Sequence, residues 1–170
     1  MNTVLTKNVI LRPLTEADWK NYVKHVIAAD EVYIQYGMKP TEWLLESIQE
    51  PNDEMVEYRT IFNEDDVMVG YVGISRETCS LEFYIFSEYR RKGYGTEALK
   101  AFTEVFFEGR IDGCEGSRII AETLSGNEAS MRLLEKVGFE DESVGLRVLL
   151  EKKSNAPVCT EVVVSYVLKR

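Results

Sequence analysis

Apolar residues recur along the chain with two spacings, one typical of strands and one typical of helices. Alternating or β-branched runs predict strands, and a polar turn at 63–66 between two of them predicts a hairpin. The predicted strands are Val4–Arg12, Tyr58–Phe62, Val67–Ser75, Leu81–Phe86, Arg118–Thr123, Leu146–Lys152 and Thr160–Leu168.

Helical spacing predicts four helices. The first begins after Thr15, which can cap it together with Asp18 three residues later. The others are predicted over Glu42–Glu50, Thr96–Glu108 and Glu128–Lys136, and a glycine after the last of them provides a stop.

The order of elements is β, α, α, several strands, and then α, β, α, β, β. Consecutive strands joined by short turns should be antiparallel, whereas strands joined through a helix should be parallel. We therefore expect a mixed α+β sheet with helices on both faces. The chain has no internal repeat and no Pro/Gly/Ser-rich linker, so residues 1–170 are interpreted as a single domain.

Composition fits one globular domain, with 170 residues of which 45% are hydrophobic and 29% charged. The net charge of −9 disfavours binding to nucleic acid or to anionic membranes. Three widely spaced cysteines indicate neither a disulfide framework nor a zinc site, and no metal is expected. The cysteine pattern favours a reducing, cytoplasmic location. We expect neither a signal peptide nor a membrane-spanning helix.

The segment from Arg90 to Thr96, between a predicted strand and a predicted helix, carries three cations and two glycines. Glycines allow close backbone approach, and the free amides at a helix start favour an anion such as phosphate. The alternative is a surface turn with a solvated charge run.

A relaxed dinucleotide fingerprint, Gly93-x-Gly95-x-x-Ala98, also fits this segment and leaves a nucleotide-binding enzyme open. That motif should follow its strand directly, near the start of a parallel α/β domain. Here the glycines lie seven residues past Phe86 and after a predicted antiparallel hairpin, which argues against nicotinamide binding.

Strand, Arg-x-x-Gly-x-Gly and helix in succession resemble the pyrophosphate loop of the GNAT acyltransferases. The later segment Asn127-x-x-Ser130, followed by Leu-x-Lys-x-Gly-Phe ending at Phe139, resembles the same family. The run from Leu11 to Asp18 and the run from Ser87 to Ala98 are similar to the branch of ribosomal-protein N-terminal acetyltransferases. The resemblance covers nearly the whole chain, with its motifs in order.

The resemblance implies a GNAT-type central mixed, largely antiparallel sheet of about seven strands, and acetyl-CoA as cofactor. It assigns the pyrophosphate to the loop residues Arg90, Arg91, Lys92, Gly93, Tyr94, Gly95 and Thr96. It assigns the pantetheine arm to the end of the preceding strand, at Tyr84, Ile85 and Phe86. It assigns the region near the thioester to Asn127 and Ser130, at the start of a helix. Asn127 is equally an ordinary helix N-cap.

The chain departs from the family where many members carry a tyrosine acid, because it has Leu134 there. We therefore assign thiol protonation to Ser130 as a hypothesis. Glu82 is the candidate base, since it interrupts an apolar strand before the loop, although an outward-facing polar residue is an equal interpretation. Glu151 is a second carboxylate candidate on the substrate side.

The substrate side should be built from the first two helices and the late strands. Tyr33, Tyr36 and Trp43 could line it, although aromatic clusters of this kind more often pack a core. The lone histidine, His25, is expected at the surface or rim.

The sequence thus predicts an N-acetyltransferase that moves acetyl from acetyl-CoA to a primary amine, either a protein N-terminus or a small molecule, by direct attack in a ternary complex. A non-catalytic acyl-CoA-binding regulatory domain is the alternative. Thr160–Leu168 is apolar enough to pair across a homodimer, or else to lie inside the sheet.

Overall fold

The computed structural model describes residues 3–28, 56–111, 113–114, 116–150 and 157–170. Its α-helices are α1 (Glu16–Ala28), α2 (Tyr94–Phe107) and α3 (Glu128–Val137), with a one-turn 3-10 helix at Ser87–Tyr89. Its strands are β1 (Val4–Leu5), β2 (Val9–Pro13), β3 (Val56–Asn63), β4 (Met68–Ser75), β5 (Ser80–Ile85), β6 (Arg118–Leu124), β7 (Glu140–Leu150) and β8 (Pro157–Lys169). The predicted helix Glu42–Glu50 lies outside the described residues.

One sheet holds all eight strands described, in the order β1-β2-β3-β4-β5-β6-β8-β7. Every neighbouring pair is antiparallel except β5 and β6, which are parallel and joined through α2. β6 and β7, joined through α3, run in the same direction with β8 between them. The structure confirms the predicted mixed, largely antiparallel sheet, and the two-residue β1 accounts for the additional strand.

The helices cover both faces of the sheet, as expected. On the first face, Trp19 and Tyr22 of α1 pack against Tyr71 and Tyr84, with ring centroids 4.8 to 5.9 Å apart. We call this the α1 face. On the opposite face, α2 and α3 bury a second core, which includes Leu99, Phe102 and Leu134 from the helices and Val72 and Ile85 from the strands. We call this the α2–α3 face.

The start of α1 has the predicted reciprocal cap. The Asp18 backbone N–H donates to Thr15 Oγ1 at 3.2 Å, and the Thr15 N–H donates to Asp18 Oδ2 at 3.0 Å. The same carboxylate oxygen accepts from the Thr60 hydroxyl on β3 at 3.1 Å, which ties the helix start to the sheet. Among the helices of the described segments, none combines the length and apolar character that a bilayer crossing requires.

For the late strands, one predicted boundary needs correction and one open alternative is decided. β7 begins at Glu140, six residues before the predicted start, because backbone pairing with β8 extends the strand through an acidic stretch. Thr160–Leu168 lies within β8, which is flanked by β6 and β7. It therefore occupies the internal position and is not a dimer edge; within the described sheet that edge is β7, whose exposed acidic start discourages strand addition.

Candidate active site

A gap in the sheet between β5 and β6 is the structural basis of the site. The two strands pair only at Ser80↔Ile120 and Leu81↔Ala121. Beyond these residues β5 continues along β4 as far as Ile85, and β6 continues along β8 as far as Leu124. The diverging strands therefore leave a wedge between them.

Backbone groups of β5 face this gap at every second residue. The Phe86 N–H donates to the Val69 carbonyl of β4 at 2.9 Å, and the Cys79 carbonyl accepts from Ile120 of β6 at 3.0 Å. Since hydrogen-bonding directions alternate along a strand, Phe83 and Ile85 direct their N–H and C=O groups toward the gap. An extended ligand can add to β5 there as a further strand.

The turn after β5 leads into a helix start that no side chain caps. Gly93 is the N-cap of α2, with φ of +93° and no side-chain cap hydrogen bond. The helix therefore begins at Tyr94, and Thr96 is its third residue, which corrects the predicted start at Thr96. The first-turn amides have no partner inside the helix and are available to an anion.

Gly95 has a different role from Gly93. A Cβ at Gly95 would lie 3.1 Å from Cδ2 of Leu133 and 3.3 Å from Cγ1 of Ile85, so the glycine permits close packing of α2 on α3 and β5. A Cβ at Gly93 would meet nothing within 4 Å, and its requirement for glycine is conformational. Arg91 also has a positive φ, +61°, in this turn.

The gap, the turn and the start of α3 enclose a pocket of about 420 Å³. The predicted cofactor residues that line it are Tyr84, Ile85, Arg90, Arg91, Gly93, Tyr94, Gly95, Thr96, Asn127 and Ser130. Phe86 and Lys92 are not part of the lining. Phe86 is buried on the α1 face and stacks on His25, and Lys92 Nζ lies 5.0 Å from the centre of the Tyr89 ring.

Positive charge is concentrated around the pocket of this anionic chain. Arg90 Nε donates to the Ile85 carbonyl at 2.9 Å, which fixes the turn to the end of β5. Arg91 is exposed at the rim, and α3 adds Arg132 and Lys136. Arg132 also pairs with Glu128 at 2.8 Å. The arrangement suits a ligand with phosphates at one end.

The start of α3 differs from that of α2 because a side chain caps it. Asn127 Oδ1 accepts from the Ser130 backbone N–H at 3.2 Å, so the N-cap interpretation of Asn127 is correct. Ser130 lines the pocket at the third helical position. Leu134 is fully buried in the core of the α2–α3 face, where it packs without contributing to the pocket lining.

Two carboxylates lie just beyond the last β5–β6 pair, on the α1 face. Leu81, Phe83 and Ile85 point into the α2–α3 core, so Glu82 projects from the opposite face. Glu122 follows Ala121 on β6, projects from the same side as Glu82, and accepts from the Ser165 hydroxyl at 3.3 Å. Neither carboxylate lines the phosphate-side pocket; both border the gap on its other side.

The histidine is partly exposed and contacts the segment before the turn. His25 Nε2 is 2.7 Å from Glu88 Oε1 in the 3-10 helix. Burial alone would raise the pKa of Glu88, but hydrogen bonds from its own backbone and from His25 outweigh it and lower the pKa.

Sequence reasoning missed several residues of the site. Phe83 supplies gap-facing backbone, Arg132 and Lys136 add charge from α3, and Glu122 borders the gap. The spacing of Arg132 and Lys136 by one helical turn, after the N-cap at Asn127, is the signal that could have found the two cations. All four residues proposed for the substrate side lie outside the described residues, namely Tyr33, Tyr36, Trp43 and Glu151.

A family model described as an acetyltransferase (GNAT) domain matches residues 8–140, more than half of the chain. The chain belongs to the GNAT acetyltransferase family. The family resemblance seen in the turn and in the Asn127 segment is thereby confirmed. Comparison with curated protein sequences gives no match.

Solved structures share the fold along nearly the entire chain. A GNAT-family acetyltransferase from Bacillus anthracis has a TM-score of 0.71 at 18% identity, covering 98% of both chains. An acetyl transferase from Salmonella typhimurium that modifies the N-terminal serine of ribosomal protein L7/L12 has a TM-score of 0.69 at 14% identity, covering 97% of this chain and 96% of the other. The ribosomal L7/L12 α-N-protein acetyltransferase RimL, in complex with coenzyme A, has a TM-score of 0.67 at 15% identity, covering 98% and 96%.

Acetyl-CoA is the cofactor of this family, and the described residues fit it. The uncapped amides of α2 and the surrounding cations suit the pyrophosphate. The gap-facing backbone of Phe83 and Ile85 suits the amide groups of the pantetheine arm, because both partners carry donors and acceptors in an extended arrangement.

Two neighbouring cations provide a matched test of the phosphate end. Arg91 lines the pocket, whereas Lys92 is exposed and lies over Tyr89. We expect Arg91→Glu to weaken acetyl-CoA binding at least tenfold, because charge reversal removes a charge-assisted contact and adds repulsion, and Lys92→Glu to weaken it by less than about threefold through screened, longer-range charge.

The measurement is isothermal titration at physiological ionic strength, with NAD as a negative control. Equal losses in the two variants would mean that only the overall charge of the turn matters and would contradict this geometry.

Proposed function

We propose that this protein is an N-acetyltransferase that transfers acetyl from acetyl-CoA to a primary amine by direct attack in a ternary complex. The observation that carries the proposal is the opening between β5 and β6. It has a cationic, amide-rich pocket on one face of the sheet and two carboxylates on the other.

The two faces suit the two reactants. A ligand carrying phosphates is attracted to the α2–α3 face by Arg90, Arg91 and the α2 amides. An amine that is protonated at neutral pH is attracted to the α1 face, where Glu82 and Glu122 border the gap. The reactants can therefore approach from opposite sides and meet between the strands without competing for one pocket.

When bound, acetyl-CoA supplies the acetyl group as a thioester, which reacts with an amine to give an amide and free thiol. In this proposal Glu82 takes the proton that the acceptor amine must lose, directly or through a water. The N–H groups facing the gap can polarise the acetyl carbonyl. Ser130, on the pocket side, can donate its hydroxyl proton at the departing sulfur.

The acceptor is proposed to be cationic, with a peptide N-terminus as the first candidate and a small amine as the second. Two carboxylates beside the gap favour a positively charged acceptor, and proteins of the same fold acetylate ribosomal-protein N-termini. A cytoplasmic location agrees with such acceptors. A homodimer remains a prediction without an assigned strand.

Glu82→Gln tests the base. We expect kcat at saturating substrates to fall by about 10²-fold or more, because the amide cannot take the proton, while acetyl-CoA affinity stays within about twofold. The matched variant is Glu122→Gln, on the same face across the gap, which should act mainly on the KM for the amine.

Steady-state kinetics on a panel of N-terminal peptides and small amines, together with titration of acetyl-CoA, separates the two variants. A large kcat loss in Glu122→Gln with none in Glu82→Gln would contradict this assignment, because Glu122 and not Glu82 would then be the base. Acetyl-CoA binding without turnover on any acceptor would instead support a regulatory acyl-CoA-binding domain.

Ser130→Ala tests the acid. We expect turnover at saturating substrates to fall by about tenfold to 10²-fold, since no hydroxyl remains to protonate the sulfur. Asn127 still caps α3, because it binds the backbone N–H of residue 130, so the helix should persist. Ser125→Ala, at an exposed serine before the same helix, is the control. Unchanged turnover in Ser130→Ala would exclude this role.

A further inference from the structure

Glu97 connects the start of α2 to the turn between β1 and β2. Its Oε1 accepts from the Thr6 hydroxyl at 2.6 Å and from the Asn8 backbone N–H at 2.7 Å, and its Oε2 accepts from Asn8 Nδ2 at 2.7 Å. Three short hydrogen bonds to one carboxylate, across about ninety residues of sequence, make a specific tie between these elements.

The carboxylate is ionised throughout the neutral range. Burial alone would raise the pKa of Glu97, but hydrogen bonds from Asn8, from Thr6 and from the backbone outweigh it and lower the pKa below its ordinary value. The bonds are therefore charge-assisted at neutral pH.

The receiving turn is itself braced. The Thr6 N–H donates to the Val9 carbonyl at 3.0 Å, and the Val9 N–H donates to Thr6 Oγ1 at 3.1 Å. β2 then pairs with β3 along its full length. Glu97 is thus bonded to a hydrogen-bonded turn whose following strand is fully paired within the sheet.

Glu97 immediately follows the three residues whose amides are uncapped. Gly95 packs against Leu133 and Ile85, and Glu97, which closes the same first turn, holds it from the β1–β2 side. The amino-terminal turn of α2 is therefore held from two directions, whereas its own N-cap, Gly93, provides no side chain.

A negative charge at this position would by itself oppose binding of a phosphate. The tie resolves this conflict, because Asn8 and Thr6 direct their donors onto the carboxylate, and Glu97 does not line the pocket. Glu97 then affects an anionic ligand through the position of the helix turn, because it sets where the free amides point.

We propose that Glu97 is a positioning residue that, through Thr6 and Asn8, fixes the first turn of α2 for binding the phosphates of acetyl-CoA. The ligand assignment in this proposal rests on the proposed function, but the tie and its effect on the free protein do not.

Two variants separate positioning from charge. Glu97→Ala removes the negative charge and both acceptor oxygens of the tie, whereas Glu97→Gln removes the charge and keeps one acceptor oxygen. We expect Glu97→Ala to weaken acetyl-CoA binding about tenfold or more, with kcat at saturating substrates within about threefold, because the reacting groups are untouched. If Glu97 acted only through its charge, both variants would bind acetyl-CoA more tightly than the parent protein. Thr6→Val, which removes one donor outside the pocket, should weaken binding in the same direction by a smaller factor.

The stability control is Thr103→Ala, a buried position of the same helix whose hydroxyl bonds to the Lys100 carbonyl. It should lower the melting temperature and leave acetyl-CoA affinity within about twofold. Equal loss of affinity in Thr103→Ala and Glu97→Ala would reduce the effect to general destabilisation, and parent-like affinity in Glu97→Ala would overturn the proposal.

A readout without ligand separates this proposal from the proposed function. In the free protein, NMR order parameters of Tyr94, Gly95 and Thr96 should fall in Glu97→Ala and stay unchanged in Thr103→Ala. If the parent protein binds no acetyl-CoA, the proposed function fails, whereas rigid amides in Glu97→Ala would refute the positioning role by itself.

Discussion

The divergence of β5 from β6 is the constraint on which the rest of the site depends. Two strands that are parallel neighbours at Leu81 and Ala121 separate one residue later, because β5 stays with β4 and β6 stays with β8. The separation leaves backbone groups without a strand partner inside the sheet, which a sheet ordinarily avoids. A ligand that supplies the missing hydrogen bonds therefore completes the fold at this point.

The turn after β5 and the start of α2 determine the orientation in which such a ligand can bind. The crossover helix α2 brings its amino terminus to the open side of β5, and Gly93 leaves its amides uncapped. Arg90 fastens the turn to the strand end, and Glu97 fastens the helix to the β1–β2 turn. Gly70 lets β4 pack closely against β5, because a Cβ at this position would lie 2.0 Å from the Tyr84 carbonyl oxygen. The uncapped amides of α2 and the gap-facing end of β5 thus line one pocket.

Local patterns predicted most elements because local interactions determine them. Thr15 and Asp18 form the reciprocal cap that their spacing indicated, and Gly138 ends α3 with φ of +109°. The pairing partners were beyond local reasoning. The acidic start of β7 resembles a loop, and only its register with β8 makes it a strand.

The site was predicted in part for the same reason. The basic glycine turn and the Asn127 segment are contiguous motifs, so their residues were found, whereas Arg132 and Glu122 join the site only through the packing of separate elements. Phe86 belongs to the same contiguous motif, but its backbone N–H bonds to β4 and the residue does not line the pocket.

Amide hydrogen exchange of β5, measured by NMR with and without acetyl-CoA, tests whether the cofactor binds in the gap between β5 and β6. We expect acetyl-CoA to slow exchange at Phe83 and Ile85, whose N–H groups face the gap, while Tyr84 and Phe86, whose N–H groups face β4, change little. Protection of the α2 amides without any change at Phe83 and Ile85 would contradict this expectation, because the ligand would then bind the turn without entering the sheet.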